Sequence, residues 1–287
     1  MQMVEKGVLY VVATPIGHLA DISARATEVL AQVDWIAAED TRHSAKLLGH
    51  LGLHKPLISL HEHNERERVE MLLQRLQQGQ SGALISDAGT PLISDPGYHV
   101  VRALREQGLA VCPIPGPSAL VCALSVAGLP TNRFSYEGFL PAKAAKRLAH
   151  LSALASDSRT LVFYESPHRL MDTLAAMIEV WGGEREICVA REMTKQYEQF
   201  VAASLDEAYA YFLAHEDKVR GEFVLVVAGA VQVEACDATQ WDGLIRLLLA
   251  QGVAVKAISE VVASYFEVKK KAVYARVLAL KSLVEAE

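Results

Sequence analysis

The sequence lacks the features that mark several large classes of protein. Its formal net charge of −6 provides no overall positive field, which argues against a protein that coats RNA or DNA and leaves room for a local basic patch. The longest nearly apolar run, residues 119–129, is too short to span a bilayer, and residues 1–7 contain no long apolar segment typical of a secretion signal. We therefore expect a cytoplasmic protein.

Cysteine motifs and phosphate-binding glycine motifs are also missing. The four cysteines are widely spaced and form no CxxC pair, so buried, reduced thiols are expected. Neither GxGxxG after a strand nor GxxxxGKS/T occurs, which argues against a site that cradles a diphosphate. His61 and His63 have no third ligand at a suitable spacing, so we expect a surface turn there and no metal site.

The sequence does contain a regular alternation of short apolar runs and segments of helical periodicity. Strands are predicted at residues 8–14, 35–38, 57–60, 83–86 and 110–113, and helices at residues 24–32, 44–51, 65–78 and 98–106. This alternation indicates βαβ units and a mostly parallel sheet, so residues 1–114 are predicted to form an N-terminal α/β domain. Ligands bind such sheets at the loops that leave the carboxyl ends of the strands.

A second α/β domain, residues 115–230, and a small helical module, residues 231–287, are predicted to follow. PGPSA at residues 115–119 marks the break, with Pro117 in the first turn of a helix that Ser118 caps. Further strands are predicted at residues 134–139, 160–164, 187–190 and 223–227, and helices at 144–155, 170–180 and 205–213. Three short helices, residues 243–250, 254–263 and 269–280, resemble a helix-turn-helix, and residues 256–281 carry a net charge of +4.

The most informative segment is SDAGTPLISDPG, residues 86–97. Turn formation alone explains either half, because Asp, Gly and Pro favour turns. Two such turns directly after a buried strand, however, expose backbone groups where a sheet binds ligands. A loop of carbonyls, Asp side chains and small residues is compatible with S-adenosylmethionine, which carries cationic sulfonium and ammonium groups and no phosphate.

Six motifs together resemble one family of enzymes. They are ATPIGHLADIS (13–23), AAEDTRHS (37–44), LISDAGTPLISDPG (84–97), IPGPSAL (114–120), FYESPHR (163–169) and VAREMTKQYEQ (189–199). In this order they are similar to the 16S ribosomal RNA cytidine 2′-O-methyltransferases, a branch of the tetrapyrrole methylase superfamily, over residues 8–228. The resemblance implies a two-domain α/β enzyme, usually a homodimer, with S-adenosylmethionine in the cleft between the domains.

By position, the resemblance also implies which residues bind the cofactor. They are Asp87, Ala88, Gly89, Thr90, Leu92, Ile93, Ser118, Ala119, Tyr164 and Glu165, with Arg191 and Glu192 as further candidates. Relatives that modify tetrapyrroles usually have a GxGPGD-like loop after the first strand, where this chain has ATPIGHL. The departure disfavours a tetrapyrrole substrate and fits the RNA branch, for which the resemblance implies a cytidine in the decoding region of 16S rRNA as substrate. A corrin or sirohaem precursor methyltransferase is the alternative, and an RNA-binding assembly factor with an inactive cofactor pocket is a second one.

Glu39, Asp40 and Arg42, at the end of the second predicted strand, are the candidate catalytic residues. A ribose 2′-hydroxyl is a poor nucleophile, so methyl transfer benefits from a base and from in-line positioning. One of the two carboxylates would accept the proton, and Arg42 would hold a neighbouring phosphate. A capped helix start with Arg42 in solvent explains the same residues equally well. Glu165 and His18, also at strand ends, are the other candidate bases.

Two basic clusters are predicted to bind RNA. The first is Lys143, Lys146 and Arg147, and the second is Lys269, Lys270 and Lys271. Cations at the predicted helix start that holds the first cluster are electrostatically unfavourable, which suggests a phosphate partner. For either cluster, a solvated helix surface explains the charges as well as RNA does.

Overall fold

A computed structural model describes residues 4–231, 238–266, 268 and 270–284 of the chain. Contacts between residues divide the chain into two compact units, Met1–Gly229 and Ala230–Glu287. The first unit contains two five-stranded sheets. The finer division of this unit near residue 114, predicted from the sequence, stays a prediction.

The first sheet is parallel throughout and has the strand order β3-β2-β4-β1-β5. Its strands are β1 (Val8–Val12), β2 (Trp35–Ala38), β3 (Leu57–Ser59), β4 (Gly82–Ile85) and β5 (Ala110–Ile114). The helices between them are α1 (Ala24–Gln32), α2 (Thr41–His50), α3 (Glu65–Gln77) and α4 (Tyr98–Glu106). The predicted βαβ arrangement is confirmed, and β2, α1 and α4 have the predicted bounds.

Both faces of this sheet are covered by apolar side chains, which is why its strands read as continuous apolar runs. One face packs around Leu30 and Ile36, and the other around Trp35 and Leu72. Each such fully buried side chain contributes about 1.5–3 kcal/mol to folding. Gly82 is required in β4, because a Cβ there would lie 2.2 Å from the Trp35 ring.

The second sheet has the strand order β6-β7-β10-β8-β9 and is mixed. Its strands are β6 (Phe134–Phe139), β7 (Thr160–Glu165), β8 (Glu186–Arg191), β9 (Gln199–Ser204) and β10 (Phe223–Val227). Only β6 and β7 are parallel, and β10 lies antiparallel between β7 and β8. The helices are α5 (Ala119–Val126), α6 (Ala144–Ala153), α7 (Leu170–Trp181) and α8 (Leu205–Ala214).

Two details of this half differ from the sequence-based expectation. Strand β9 was not predicted, because its apolar run is short and none of its residues is fully buried. Pro117 precedes α5 and lies outside its first turn; Ser118 is the N-cap, but its side chain makes no capping hydrogen bond. The Ser118 hydroxyl therefore does not serve as the helix cap.

In the described residues of the second unit, the chain forms three helices, as predicted. They are α9 (Ala238–Ala250), α10 (Val255–Tyr265) and α11 (Lys270–Val284). Trp241, Ile258 and Val277 belong to its buried core. Among the described residues, no helix is long and apolar enough to cross a membrane. Of the cysteines, Cys112, Cys122 and Cys188 are free thiols, and Cys236 lies outside the described residues.

Candidate active site

A cavity of about 420 Å³ lies where strands of both sheets end. Strands β2, β4, β6 and β7 reach it with their carboxyl ends. Strand β10 reaches it with its start, because β10 is antiparallel to β7 and pairs Phe223 with Glu165. The lining residues are Ile16, Glu39, Asp87, Ala88, Gly89, Thr90, Ile93, Ser94, Asp95, Ser118, Ala119, Phe139, Tyr164, Glu165, Ser166, Pro167, Gly221, Glu222, Phe223 and Val224.

Nine of the ten residues predicted to bind the cofactor line this cavity. The tenth, Leu92, does not. Its backbone has a left-handed φ of +72°, and its side chain packs with the apolar core of the first sheet. Arg191 and Glu192, the further candidates, are also absent from the lining. Leu92 was included because its neighbours in the motif are predicted to bind the cofactor. Its left-handed backbone turns its side chain away from the cavity, and the motif alone does not show this.

Gly89 supplies space to the cavity and no free backbone hydrogen-bonding group. Its N–H donates to the carbonyl oxygen of Thr14 at 3.0 Å, and its own carbonyl accepts from the Thr14 N–H at 2.9 Å. Its φ is +80°, and a Cβ there would lie 3.3 Å from Cγ2 of Ile16. The expectation that this backbone binds a ligand directly does not fit Gly89 itself. The loop is also tied to the segment just before α5, because the Thr90 hydroxyl donates to the Pro117 carbonyl at 2.9 Å.

The far end of the same loop is held by Glu65, a buried carboxylate on α3 that the sequence analysis did not single out. Its Oε1 accepts hydrogen bonds from the backbone N–H groups of Gly97, His99 and Val100, at 3.1, 2.6 and 3.3 Å. Glu65 thus caps α4 from another helix, at the amino end where the helix dipole favours negative charge. Residues 86–97 are therefore anchored at both ends.

Carboxylates give the cavity its electrostatic character. Burial, together with the charges of Asp95 and Asp87, raises the pKa of Glu39 to about 7. Burial also raises the pKa of Asp95 to about 6. Asp87 accepts a 3.0 Å hydrogen bond from the Asp40 N–H, which joins the loop to the end of β2. A cationic ligand would relieve the repulsion among these groups, whereas a phosphate would increase it.

Of the three candidate catalytic residues, only Glu39 lines the cavity. The Asp40 carboxylate is the N-cap of α2 and accepts from the backbone N–H groups of Arg42 and His43. The Arg42 guanidinium also pairs with this carboxylate at 3.1 Å. Hydrogen bonds from Arg42 hold the pKa of Asp40 at about 2, so this group is a weak proton acceptor. The alternative explanation, a capped helix start, accounts for Asp40.

Phe139 and Tyr164 line one side of the cavity, and Tyr136 packs against Tyr164. The rings of Tyr136 and Phe139 lie edge-on to Tyr164, with centroids 5.0 and 5.8 Å away. The Tyr164 hydroxyl accepts from the Leu120 N–H at 3.1 Å, and burial raises the pKa of Tyr164. Tyr164 therefore connects β7 to the first turn of α5. Phe139 is 53% exposed although it lines the cavity, so its ring is available to a flat ligand.

Glu165 is buried as part of a structural pair. Its carboxylate lies 3.3 Å from the Arg169 guanidinium and accepts from the Thr173 hydroxyl at 2.6 Å and the Ser166 N–H at 2.8 Å. With these partners it is poorly placed to act as a base. His18, the other candidate base, caps a short 3-10 helix through a 3.2 Å hydrogen bond from the Ala20 N–H.

The basic residues predicted to bind RNA fall into different settings. Lys143 and Lys146 are exposed at the start of α6. Arg147 is only 5% exposed, and its guanidinium lies 3.6 Å from Asp172. The Arg147 guanidinium is thus buried and paired, which does not favour the predicted contact with RNA, and that contact stays a prediction.

In the second predicted RNA-binding cluster, Lys271 is the lysine without an ion-pair partner among the described residues. Lys270 forms a 2.5 Å ion pair with Glu260, and Lys271 is exposed. Lys269 lies outside the described residues.

Ten residues that line the cavity were not among the predicted site residues: Ile16, Ser94, Asp95, Phe139, Ser166, Pro167, Gly221, Glu222, Phe223 and Val224. Asp95 and Ser94 lie in the motif at residues 86–97, whose second turn is the sequence signal for them. Phe139 ends a predicted strand at the ligand-binding edge. The sequence gave no indication that Gly221 and Glu222 line a site, since they precede a strand. The antiparallel pairing of β10 with β7 brings them to the ligand-binding edge.

The profile of the family described as Tetrapyrrole (Corrin/Porphyrin) Methylases matches residues 8–209. Ribosomal RNA small subunit methyltransferase I of Escherichia coli O157:H7 is 50% identical to the chain over 94% of this chain and 94% of that protein. The protein of the same name from Pseudomonas aeruginosa is 48% identical over 95% of this chain and 97% of its own.

Solved structures with a similar fold are more distant in sequence. Uroporphyrin-III-C-methyltransferase from Thermus thermophilus has a TM-score of 0.56 at 20% identity, over 78% of this chain and 94% of its own. The methyltransferase CobJ has a TM-score of 0.58 at 19% identity, with the same shares covered. At such identities the likeness concerns the fold alone.

Proposed function

The chain belongs to the family of Tetrapyrrole (Corrin/Porphyrin) Methylases, and on that premise we propose that it methylates the RNA of the small ribosomal subunit. The observation that carries the proposal is 50% identity, along 94% of the chain, to a Ribosomal RNA small subunit methyltransferase I. The acceptor that we propose is the ribose 2′-oxygen of a cytidine in the decoding region of 16S rRNA. This rests on the six motifs that resemble the cytidine 2′-O-methyltransferases.

Methyltransferases of this family take the methyl group from S-adenosylmethionine, and the cavity fits this cofactor. The ligand has a net positive charge, and Glu39, Asp87 and Asp95 give the cavity the opposite sign. The exposed ring of Phe139 offers a surface for the adenine. Residues 87–90 and 118–119 would hold the cofactor, as the resemblance implies, whereas Leu92 packs elsewhere.

The reaction transfers a methyl group from the positively charged sulfur of the cofactor to the ribose 2′-oxygen. One C–S bond breaks, one O–C bond forms, and the 2′-hydroxyl releases its proton. Glu39 is the group that we propose to accept this proton. It lines the cavity, and its pKa of about 7 lies close to neutral pH, where a base works best. Asp40 and Arg42 would act indirectly, by fixing the first turn of α2 beside Glu39.

The RNA contacts that we propose outside the cavity are Lys143, Lys146 and Lys271, which are exposed and have no ion-pair partner among the described residues. Lys270 would have to exchange Glu260 for a phosphate, and Lys269 stays a prediction. An enzyme that acts on ribosomal subunits works in the cytoplasm, which is the location that we propose. The homodimer implied by the resemblance also stays a prediction, and analytical ultracentrifugation would check it.

The proposal is tested by incubating the protein with isotopically labelled S-adenosylmethionine and either isolated small subunits or naked 16S rRNA. We expect label at a single cytidine ribose, mapped by nuclease digestion and mass spectrometry. Label on a corrin or sirohaem precursor and none on RNA would support the alternative enzyme. Cofactor binding without any transfer to subunits or naked rRNA would support the assembly-factor alternative.

A further inference from the structure

A second cavity, of about 290 Å³, adjoins the first. Ile16, Asp87, Ala88 and Glu222 line both cavities, so the two share a wall. The second cavity continues along α2 and the loop after β1. No comparison assigns a role to it.

The walls of this second cavity are firmly placed. Gly17 lies against the loop after β8, where a Cβ would come within 2.5 Å of Lys195 and 2.6 Å of Thr194. The His18 N–H donates to the Thr194 hydroxyl at 3.1 Å. On the opposite side, the Asp40 cap fixes the start of α2.

The α2 wall is basic and lies on one face of the helix. His43, Lys46 and Leu47 line the cavity at positions i, i+3 and i+4. Neither the His43 nor the Lys46 side chain has a hydrogen-bond or ion-pair partner among the described residues. The third basic residue, Lys195, is already neutralised by Glu192 and Glu222, each at 3.0 Å. An unpartnered lysine beside a histidine ring in a concave site favours an anionic ligand.

The two neighbouring cavities share the carboxylates of Asp87 and Glu222 and differ in their remaining charged residues. The first is lined by carboxylates and suits a cation, whereas the α2 wall of the second offers Lys46 and a histidine ring. Leu19 and Leu47 add apolar surface for the flat part of a ligand. A nucleotide has this combination of a phosphate and a flat base.

We infer that the second cavity holds the acceptor nucleotide of the RNA, with His43 and Lys46 binding a phosphate next to the ribose that is methylated. The inference rests on the proposed function and specifies its substrate site. It replaces Arg42 as the phosphate anchor, since Arg42 pairs with Asp40 and lines neither cavity. The wall shared with the first cavity is where donor and acceptor meet.

The test measures binding of isolated small subunits without cofactor, by filter binding over a range of salt concentrations. Lys46→Ala should weaken binding about tenfold, as expected for one lost charge-assisted hydrogen bond, and reduce the salt slope by about 0.7–0.9. His43→Ala should weaken binding less, and Lys46→Arg should restore it. The affinity for S-adenosylmethionine, measured by calorimetry, should stay unchanged in all three variants.

Lys6→Ala is the matched control, because it removes the same charge from an exposed position before β1, at the amino ends of the strands and outside both cavities. If Lys46→Ala binds subunits as Lys6→Ala does, the inference is overturned. It is also overturned if Lys46→Ala loses cofactor affinity and keeps subunit affinity. Failure of the proposed function is a separate result, in which the wild-type protein transfers no methyl group to RNA.

Discussion

Replacing Glu65 with alanine should destabilise the first unit and weaken cofactor binding, although Glu65 does not line the cavity. The change removes the one acceptor shared by three backbone N–H groups at the start of α4. Gly97 and Val100 are buried, so their donors would be left without a partner. An unsatisfied buried donor costs about 1–3 kcal/mol, which gives a total of about 3 kcal/mol. For a unit of this size, that corresponds to a fall in melting temperature of about 6–12 °C.

Two further variants isolate the role of the carboxylate. Glu67→Ala removes an exposed acid from the same helical turn and should leave the melting temperature within about 1 °C. Glu65→Gln keeps an acceptor oxygen without its charge and should lose about half as much stability as Glu65→Ala.

The assay for positioning is calorimetry with S-adenosylmethionine at a temperature where every variant is folded. Because residues 86–97 end at the Glu65 cap, Glu65→Ala should bind the cofactor several-fold more weakly. Equal melting temperatures for Glu65→Ala and Glu67→Ala would refute the stability argument. A destabilised Glu65→Ala with wild-type cofactor affinity would refute the positioning role.

Three further predictions concern the site itself. Gly89→Val should lower the affinity for the cofactor about tenfold in calorimetry. Gly79→Val, with an equally left-handed φ but open space around it, should not. Equal cofactor affinities of the two variants would exclude crowding of the cavity as the cause. Glu39→Gln should slow single-turnover methyl transfer by about 100- to 10,000-fold. The wild-type rate should rise with pH through about 7, as Glu39 loses its proton, and the rise should vanish in Glu39→Gln; a retained rise would assign the base elsewhere. Lys143→Ala combined with Lys146→Ala should weaken subunit binding and flatten its salt dependence without altering cofactor affinity, and an unchanged salt slope would mean that both lysines are merely solvated.

Local pattern predicted much of the fold. Buried strands and amphipathic helices such as β2 and α4 carry their periodicity in adjacent residues, so their bounds follow from the sequence. Strand β9 was not predicted from the sequence, because it is a strand through its pairing with β8 and not through its own composition. The same holds for Glu65, whose capping partners lie more than 30 residues away and leave no local trace.

The candidate site was predicted in outline, and the structure distinguishes residues that the sequence could not. Glu39 and Asp40 are neighbours in one motif, yet burial raises the pKa of the first while hydrogen bonds from Arg42 lower that of the second. Lys146 and Arg147 are also neighbours, and only Lys146 is exposed. Which of two adjacent charges faces solvent depends on packing between helices, and composition does not contain that information.

The position of β10 has a consequence for how the protein is made. This last strand of the second sheet lies at its centre and pairs with β7 and β8, which do not pair with each other. Before residue 227 leaves the ribosome, β6-β7 and β8-β9 are separate pairs with open edges, and open edges invite association with other chains. Residues 221–224, which line the cavity, arrive with the same strand. During synthesis, the nascent chain therefore cannot complete its cofactor cavity before its central strand has emerged and inserted.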